Sequence, residues 1–380
     1  MTDPVELTQE LVGIPSANPP GDELACARFI HEWCAEHGLE ARLIDRPSSD
    51  RPSVAARVGE GSPVVVLNGH TDVVPAGDTE AWRYHPYEAV VDDGRLYGRG
   101  AADMKAGLAV AMTVADELSD PIESGELSGS LIVHAAAGEE TGYPGTETLI
   151  EAGYGGDMAI VLEPTDFRVA TSAKGVATFR FETTGRSAHA SRPEDGDNAI
   201  DGLRRLIDAL DGYDEDVRQR VDPLVGRGYA TVTEVRAGIE SNMAVIPDRA
   251  ALLLDRRMLP GETLETVEDE LVELQHEVTG TNIERSLVAY YEPAAIDPDH
   301  RLANVLRRHT AEFVDVSTDP WGLEAATDAR SFIAAGTDAV IWGPGSLEQA
   351  HTVDEMIDID DITLGVKLLS HAVAELLANG

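Results

Sequence analysis

Histidine and carboxylate side chains recur directly after short apolar segments of this sequence. The candidate set is His70, Asp103, Glu139, Glu140, Glu163 and His351. Functional groups of α/β proteins collect beyond the carboxyl ends of parallel strands, so we expect these side chains to meet at one edge of a sheet. Two imidazoles with several carboxylates suit zinc, cobalt or manganese. If one glutamate of the set stays free of metal, five ligands remain. Five ligands, one of them a bridging carboxylate, predict a two-metal site with the metals roughly 3.5–4 Å apart.

The first histidine of the set follows the apolar run 64–67. Asp72 stands two residues after His70, where its carboxylate can accept the imidazole N–H and fix the ring tautomer, as the partners of metal-binding histidines do. A histidine satisfied within an ordinary loop is the alternative for this segment alone.

A glycine-rich segment occupies residues 98–105, Gly-Arg-Gly-Ala-Ala-Asp-Met-Lys. It is one residue short of the dinucleotide-binding fingerprint, because Asp103 stands where the third glycine would allow close helix packing. No clear ribose-binding acid follows at the expected distance, which argues against a dinucleotide site. An aspartate at the start of a helix, among small residues, suits a carboxylate that bridges two metals.

Two adjacent carboxylates, Glu139 and Glu140, follow the apolar run 131–136. Burying both without a cation between them is costly. A divalent metal resolves this conflict if one glutamate binds the metal and the other acts as a general base; a solvated acidic loop is the alternative. Glu163 follows the run 158–162 in the same way, and His351 follows the last apolar strand.

Strand-like and helix-like patterns alternate along most of the chain, which predicts an α/β fold with a mostly parallel sheet. After about Lys174 the pattern changes to strand, helix, strand, strand, helix, which is typical of an α+β unit. We therefore expect a three-layer catalytic domain, residues 1–174 and 287–380, interrupted by an inserted α+β domain, residues 175–286.

The charge balance excludes two classes of partner. With 69 acidic and 29 basic residues the net charge is −40, which argues against nucleic-acid binding and against docking on an anionic membrane. Only three of the basic residues are lysines. Such a surface is typical of adaptation to molar salt, where charges are screened over roughly 3 Å; an ordinary acidic protein is the alternative. No signal peptide or membrane-spanning run is present, so we expect a cytoplasmic protein.

The motifs taken together resemble the M20 metallopeptidase family, which includes acetylornithine deacetylase, succinyl-diaminopimelate desuccinylase, aminoacylases and glutamate carboxypeptidase. The resemblance covers essentially the whole chain, in order. The segments that carry it are Asn68-Gly69-His70-Thr71-Asp72-Val73-Val74-Pro75, residues 98–107, Glu139-Glu140, Glu163-Pro164-Thr165, and Gly343-Pro344-Gly345 followed by His351.

The resemblance implies a specific ligand set for two divalent metals, Zn²⁺ with Co²⁺ as the alternative. His70, Asp103 and Glu163 would hold one metal. Asp103, Glu140 and His351 would hold the other, with Asp103 bridging the two.

Further roles come from the same resemblance. Glu139 matches the catalytic base, and Asp72 matches the partner of His70. The inserted domain matches a lid that mediates dimerisation. Within it, His189 looks like the residue that crosses to the partner's active site and stabilises the oxyanion, and Arg257 like the residue that binds the substrate carboxylate.

One position departs from the family pattern. Where the family often has an asparagine three residues before a proline, this chain has Ala244, and the nearest asparagine is Asn242. We therefore name Asn242 as the candidate substrate contact, which a small local shift of the chain would restore; a different substrate interaction at this position is the alternative.

The function expected from the resemblance is hydrolysis of the amide of an N-acyl amino acid, as in acetylornithine deacetylase or succinyl-diaminopimelate desuccinylase. A dipeptidase, carboxypeptidase or aminoacylase on the same scaffold is the alternative. A metal-binding scaffold that has lost catalysis is a third reading, which the retained base and ligands oppose. We expect a homodimer formed through the lid.

Overall fold

The computed structural model describes residues 2–238 and 243–378. The chain separates into two compact units. The first comprises Met1–Thr171, Ala295–Gly322 and Thr327–Gly380, and the second Ser172–Ala294 and Leu323–Ala326.

Helices and strands are interspersed along the described residues. The helices are α1 (Pro4–Val12), α2 (Leu24–Glu36), α3 (Ala106–Glu123), α4 (Gly145–Leu149), α5 (Ala199–Val217), α6 (Leu264–Glu277), α7 (Arg301–Ala311), α8 (Ala329–Ala334) and α9 (Ile359–Ala378). The strands are β1 (Glu40–Ile44), β2 (Ser53–Gly59), β3 (Val64–His70), β4 (Val90–Asp92), β5 (Arg95–Tyr97), β6 (Ser130–Ala136), β7 (Met158–Val161), β8 (Ala170–Ala173), β9 (Gly175–Thr184), β10 (Val221–Asp222), β11 (Gly226–Arg227), β12 (Tyr229–Ala237), β13 (Arg249–Met258), β14 (Asn282–Tyr291), β15 (Ala294–Ala295), β16 (Trp321–Leu323), β17 (Asp338–Ile341) and β18 (Met356–Asp358).

The first unit is built on a mixed sheet in which β1, β2, β6, β3, β7 and β17 lie side by side in that order. The four strands β6, β3, β7 and β17 are parallel to one another, whereas β1 and β2 run antiparallel at the edge. The chain places β6 on one side of β3 and β7 on the other. Crevices form where the strand order reverses in this way, so the carboxyl end of β3 is the expected place for a site.

Both faces of this sheet are covered, as the alternation of strand side chains requires. Val54 and Ala56 belong to a large core that also contains residues of α1, α2, α3 and α9. Ala55, between them, belongs to a separate cluster with Ala136 of β6 and Leu149 of α4. The unit therefore has three layers, and the predicted α/β class with a mostly parallel sheet is confirmed.

Small residues bring α3 close to the strand ends. A Cβ on Gly107 would lie 2.2 Å from the carbonyl oxygen of Leu162, so only glycine allows this approach. The next strand after α3 in the chain is β6. The first turn of α3 is continuous with the segment that carries Asp103.

The second unit contains a four-stranded antiparallel sheet in the order β12, β13, β9, β14. Along β9 buried residues such as Phe179 and Phe181 alternate with partly exposed ones, and they pack in a core with residues of α5 and α6. The sequence boundary proposed at residue 286 falls inside β14, which pairs with β9 along its length. The strand was missed because most of its side chains are partly exposed and its apolar alternation is weak.

No helix within the described residues is long and apolar enough to cross a membrane. Cys26 and Cys34 are both buried in α2, and both are free thiols.

Candidate metal centre

Four of the five candidate ligands of the first unit lie at or after the carboxyl ends of parallel strands. His70 is the last residue of β3, Glu140 follows β6, and Glu163 follows β7. His351 lies in the loop after β17, and Asp103 lies in the distorted turn immediately before α3. Because the strands are parallel, His70, Glu140, Glu163 and His351 share one edge of the sheet, and the turn before α3 brings Asp103 to the same edge.

Asp103 lies between the two histidines. Its Oδ1 is 3.2 Å from Nε2 of His70, and its Oδ2 is 3.4 Å from Nε2 of His351. On the first side, Nε2 of His70 is 3.9 Å from Oε1 of Glu163. On the second, Nε2 of His351 is 3.1 Å from the carboxylate of Glu140. The two oxygens of one aspartate therefore face two different histidine–glutamate pairs.

The ring of His70 is held in a fixed orientation. Its Nδ1 lies 2.9 Å from the main-chain carbonyl of Asp72, which directs Nε2 toward Asp103. The sequence prediction made the carboxylate of Asp72 the acceptor, but that carboxylate lies 3.6 Å away. The main-chain oxygen takes its place because the Asp72 carboxylate is turned toward the loop after β6.

The carboxylate of Asp72 organises the turn that carries the two glutamates. It accepts main-chain N–H bonds from Gly138 (2.9 Å), Glu139 (3.1 Å) and Glu140 (3.2 Å). Gly138 has a φ of 79°, in the left-handed region that favours glycine. This turn points three successive amides at one buried anion, so it fixes where both glutamate side chains begin.

Glu139 lies in a buried, charged environment beside the ligand cluster. Burial raises its pKa to about 8, and the neighbouring charges include those of His70, Asp328 and Arg330. The nearest nitrogen of Arg330 is 4.0 Å from Oε1 of Glu139. A carboxyl group whose pKa lies near neutrality can both accept and release a proton.

The other groups of the cluster show the expected electrostatic compensation. Hydrogen bonds to Asp103 and Glu140 raise the pKa of His351 to about 10. Despite its burial, Asp103 has a lowered pKa because both histidines donate hydrogen bonds to it. Burial raises the pKa of Glu163 well above its ordinary value. The carboxyl groups of Asp103 and Glu163, which are buried, and of Glu140, which is half-buried, therefore share the two imidazoles.

The residues present fit a divalent metal centre. Among the described residues, ligand atoms of His70, Asp103 and Glu140 all lie within 4.8 Å of one another. Imidazole nitrogen with carboxylate oxygen is the donor mixture of zinc and cobalt sites. The bond from Nδ1 of His70 to a carbonyl, with Nε2 turned to the cluster, is the orientation of metal-binding histidines.

Two further candidates belong to the second unit. Nδ1 of the exposed His189 accepts the main-chain N–H of Ser191 at 3.1 Å, so the neutral ring carries its proton on Nε2. Arg257, in β13, donates from Nε to Asp255 at 2.8 Å. The candidate Asn242 lies outside the described residues.

Two buried polar residues around the cluster, Asn18 and Glu355, were not singled out from the sequence. Asn18 donates to Asp72 at 2.9 Å and to Thr141 at 2.7 Å. Glu355 accepts hydrogen bonds from the turn that carries Asp103. Their partners lie between 54 and 256 residues away in the chain, so no local spacing could have identified them.

Comparison with known proteins decides the family. Residues 66–375 match the model of peptidase family M20/M25/M40. The chain belongs to this family. As an M20 member it is a hydrolase of the amidohydrolase and peptidase type. It is 27% identical over 390 residues to a probable succinyl-diaminopimelate desuccinylase of Staphylococcus aureus. The alignment covers 94% of this chain and 93% of that protein.

Solved M20 structures share its fold. An M20 metallo-carboxypeptidase from Sulfolobus solfataricus superposes with a TM-score of 0.82 at 19% identity, covering 100% of this chain and 99% of the other. A dinuclear metal-binding M20 peptidase from Bacillus subtilis superposes with a TM-score of 0.70 at 17% identity, covering 98% and 97%.

Proposed function

We propose that this M20 enzyme hydrolyses the amide bond of an N-acyl amino acid, in the manner of a succinyl-diaminopimelate desuccinylase or an acetylornithine deacetylase. The observation that carries the proposal is the position of Asp103, whose two oxygens face two separate histidine–glutamate pairs. The similarity to a desuccinylase along nearly the whole of both chains supports the substrate class.

Two divalent metals, Zn²⁺ or Co²⁺, would be held by the cluster. His70, Asp103 and Glu163 would bind one, and Asp103, Glu140 and His351 the other, in agreement with the two sets of distances. When bound, such a pair supplies Lewis-acid polarisation of the scissile carbonyl and acidifies a water molecule.

Glu139 would hold the proton that moves during the reaction. Its main chain is fixed by Asp72, and Arg330 lies beside its carboxylate. It takes a proton from water at a carboxylate oxygen and delivers it to the nitrogen of the leaving amine. Transfer by a positioned side chain of this kind contributes about 10²–10⁴ in rate.

Two residues of the second unit would orient the substrate. His189 of a second copy of the chain would donate its Nε2–H to the oxyanion, and Ser191 would hold the ring in the tautomer that this requires. Asp255 binds one edge of the Arg257 guanidinium, and the edge with Nη1 would receive the substrate carboxylate bidentately. Asn242 would add a further substrate contact.

A dipeptidase, carboxypeptidase or aminoacylase is the competing activity, since the fold is shared with an M20 metallo-carboxypeptidase. The test is amine release in molar KCl with added Zn²⁺ or Co²⁺. The panel is N-succinyl-diaminopimelate, N-acetylornithine, N-acetylmethionine and several dipeptides. We expect strong preference for one acylated biosynthetic intermediate; turnover of dipeptides alone would replace the proposal with a peptidase, and silence with metals bound would indicate a scaffold.

We further propose that the enzyme is a cytoplasmic homodimer that works at molar salt. The net charge of −40 and the near absence of lysine support the salt adaptation. Sedimentation at increasing KCl concentration tests the dimer and the salt adaptation together. We expect a dimer that forms only at high salt, and a monomer at every KCl concentration would contradict the proposed homodimer.

A further inference from the structure

Glu355 is a buried carboxylate for which the proposed reaction has no role. Its side chain is 1% exposed, and it lies four residues after the candidate ligand His351. A buried carboxylate is costly unless it is paired and fully hydrogen-bonded. The identity of its partners therefore indicates what it does.

Every partner of this carboxylate lies in the turn that carries Asp103. Oε2 accepts from Nη1 of Arg99 at 2.6 Å and from the amide of Gly100 at 3.0 Å. Oε1 accepts from the amide of Ala102 at 2.9 Å and from the amide of Asp103 itself at 3.1 Å. One side chain thus holds the main chain of the residue whose carboxylate lies between the two histidines.

The main chain continues the same connection. β18 pairs antiparallel with β5, and Gly98 donates its N–H to the carbonyl of Glu355 at 3.0 Å. The strand pairing therefore runs directly into the four bonds of the Glu355 carboxylate. It joins the turn before α3 to the segment that follows His351, although these are separated by about 250 residues of chain.

The segment between His351 and Glu355 is held in an unfavourable backbone conformation. His351 and Asp354 have φ values of 63° and 60°, in the left-handed region that costs energy for residues other than glycine. Such a conformation persists only when the surroundings impose it. Glu355 provides one attachment, and Oδ1 of Asp354 provides another by accepting the N–H of Arg83 at 2.6 Å.

We propose that Glu355 is a positioning residue that sets the placement of Asp103 relative to His351, and so the affinity of the metal position that these two share. The inference rests on the proposed ligand roles of Asp103 and His351. The Asp103–His351 distance of 3.4 Å depends on two remote segments, and Glu355 is bonded to the main chain of one and continuous with the other.

Cobalt titration of the metal-free full-length protein tests the proposal without reference to any substrate. Binding is followed by calorimetry and by the visible absorption of Co²⁺ in molar KCl. In Glu355→Gln an NH₂ group replaces one oxygen and faces two donors, so the turn must move. Both binding events involve Asp103, but only one also involves His351. We expect that event to weaken 10- to 100-fold, the range typical of residues that support metal ligands, and the event that involves Asp103 without His351 to weaken less.

The matched control is Glu262→Gln. Glu262 also binds arginine side chains and a main-chain amide, those of Arg220, Arg256 and Leu259, but it belongs to the second unit. We expect its substitution to leave both Co²⁺ events unchanged. If circular dichroism shows that Glu355→Gln is unfolded, Glu355→Asp replaces it as the test variant, because it keeps the charge. Its carboxylate is shorter by one bond, ~1.5 Å, and the same event should weaken.

Two results would overturn the proposal. Unchanged affinity at both events in the folded Glu355 variant shows that the carboxylate has no positioning role, and equal weakening of both shows a general loosening. His351→Ala separates this failure from failure of the proposed function. If His351→Ala abolishes one event while Glu355→Gln leaves it intact, only the positioning role fails; if His351→Ala leaves both events intact, the ligand assignment and the positioning role fail together.

Discussion

Replacing Asp72 with asparagine should release the turn that carries the proposed base. The carboxylate of Asp72 accepts four hydrogen bonds, from the side-chain amide of Asn18 and from the main-chain amides of Gly138, Glu139 and Glu140. Asparagine retains one oxygen and places an NH₂ group where the other stood. That group faces N–H donors and cannot accept from them, so two of the four bonds are lost.

The size of the effect follows from the number of lost bonds. A hydrogen bond to a charged group contributes about 1.5–3 kcal/mol, so two of them contribute about 3–6 kcal/mol. Removing a buried charge recovers part of its desolvation cost, which places the expected loss of unfolding free energy near the lower end, about 3 kcal/mol. A displacement of Glu139 by ~1 Å should also lower kcat about 10²-fold.

Urea denaturation in molar KCl, with kcat measured on the best substrate of the panel, tests both numbers. The control is Asp157→Asn, because Asp157 is exposed and accepts a single main-chain N–H, that of Val64 at 2.7 Å. It should change the unfolding free energy by no more than about 0.5 kcal/mol. An Asp72→Asn enzyme with wild-type stability and wild-type kcat would refute the role assigned to the carboxylate.

Three further predictions concern single side chains. Glu139→Gln should lower kcat by about 10²–10⁴ with metal content unchanged; near-normal turnover would remove Glu139 as the base. Burial lowers the pKa of His134 from 6.5 to about 4, so the unfolded chain protonates first and stability falls as the pH drops from 6.5 to 4, by about 3 kcal/mol. In urea titrations His134→Gln should lack that loss, and an identical pH dependence would contradict the assignment. Burial and three neighbouring aspartates raise the pKa of Asp361 to about 6, so Asp361→Asn should raise the thermal midpoint above about pH 6 and lose this advantage below about pH 4; a constant difference would show another cause.

The parallel core could be predicted from the sequence because its strands are continuous apolar runs. The run 64–67 lies within β3, and the run 131–136 lies within β6. From strand ends alone, the sequence also predicted that His70, Glu140 and Glu163 share an edge, which is where the structure places them. The apolar runs show where each strand ends. Because parallel strands align their carboxyl ends, the residues that follow these runs are predicted to lie together.

Hydrogen-bond partners could not be predicted in the same way. The sequence predicted that the carboxylate of Asp72 accepts a hydrogen bond from the His70 imidazole. The carboxylate instead accepts from the turn 138–140, and the imidazole bonds to the main-chain carbonyl of Asp72. Nothing in the sequence distinguishes Glu355 from the many other acidic residues of this chain. Which oxygen meets which donor depends on the path of remote segments, and that path is set by packing rather than by spacing.

Asp72 and Glu355 share one feature that bears on a protein proposed to work in molar salt. Each is a buried carboxylate that accepts three main-chain amides and one side-chain N–H, and each holds a turn that carries candidate ligands. Salt screens exposed charges strongly and buried contacts weakly. The stability loss of Asp72→Asn should therefore be nearly the same at low and at molar KCl, as long as the chain is folded at both. Exposed ion pairs such as Arg42–Glu40 should contribute little at either concentration. Urea midpoints of Asp72→Asn and Arg42→Gln, measured across a KCl series, test this; a loss in Asp72→Asn that disappears with salt would show that the buried anion acts by long-range charge rather than by its bonds.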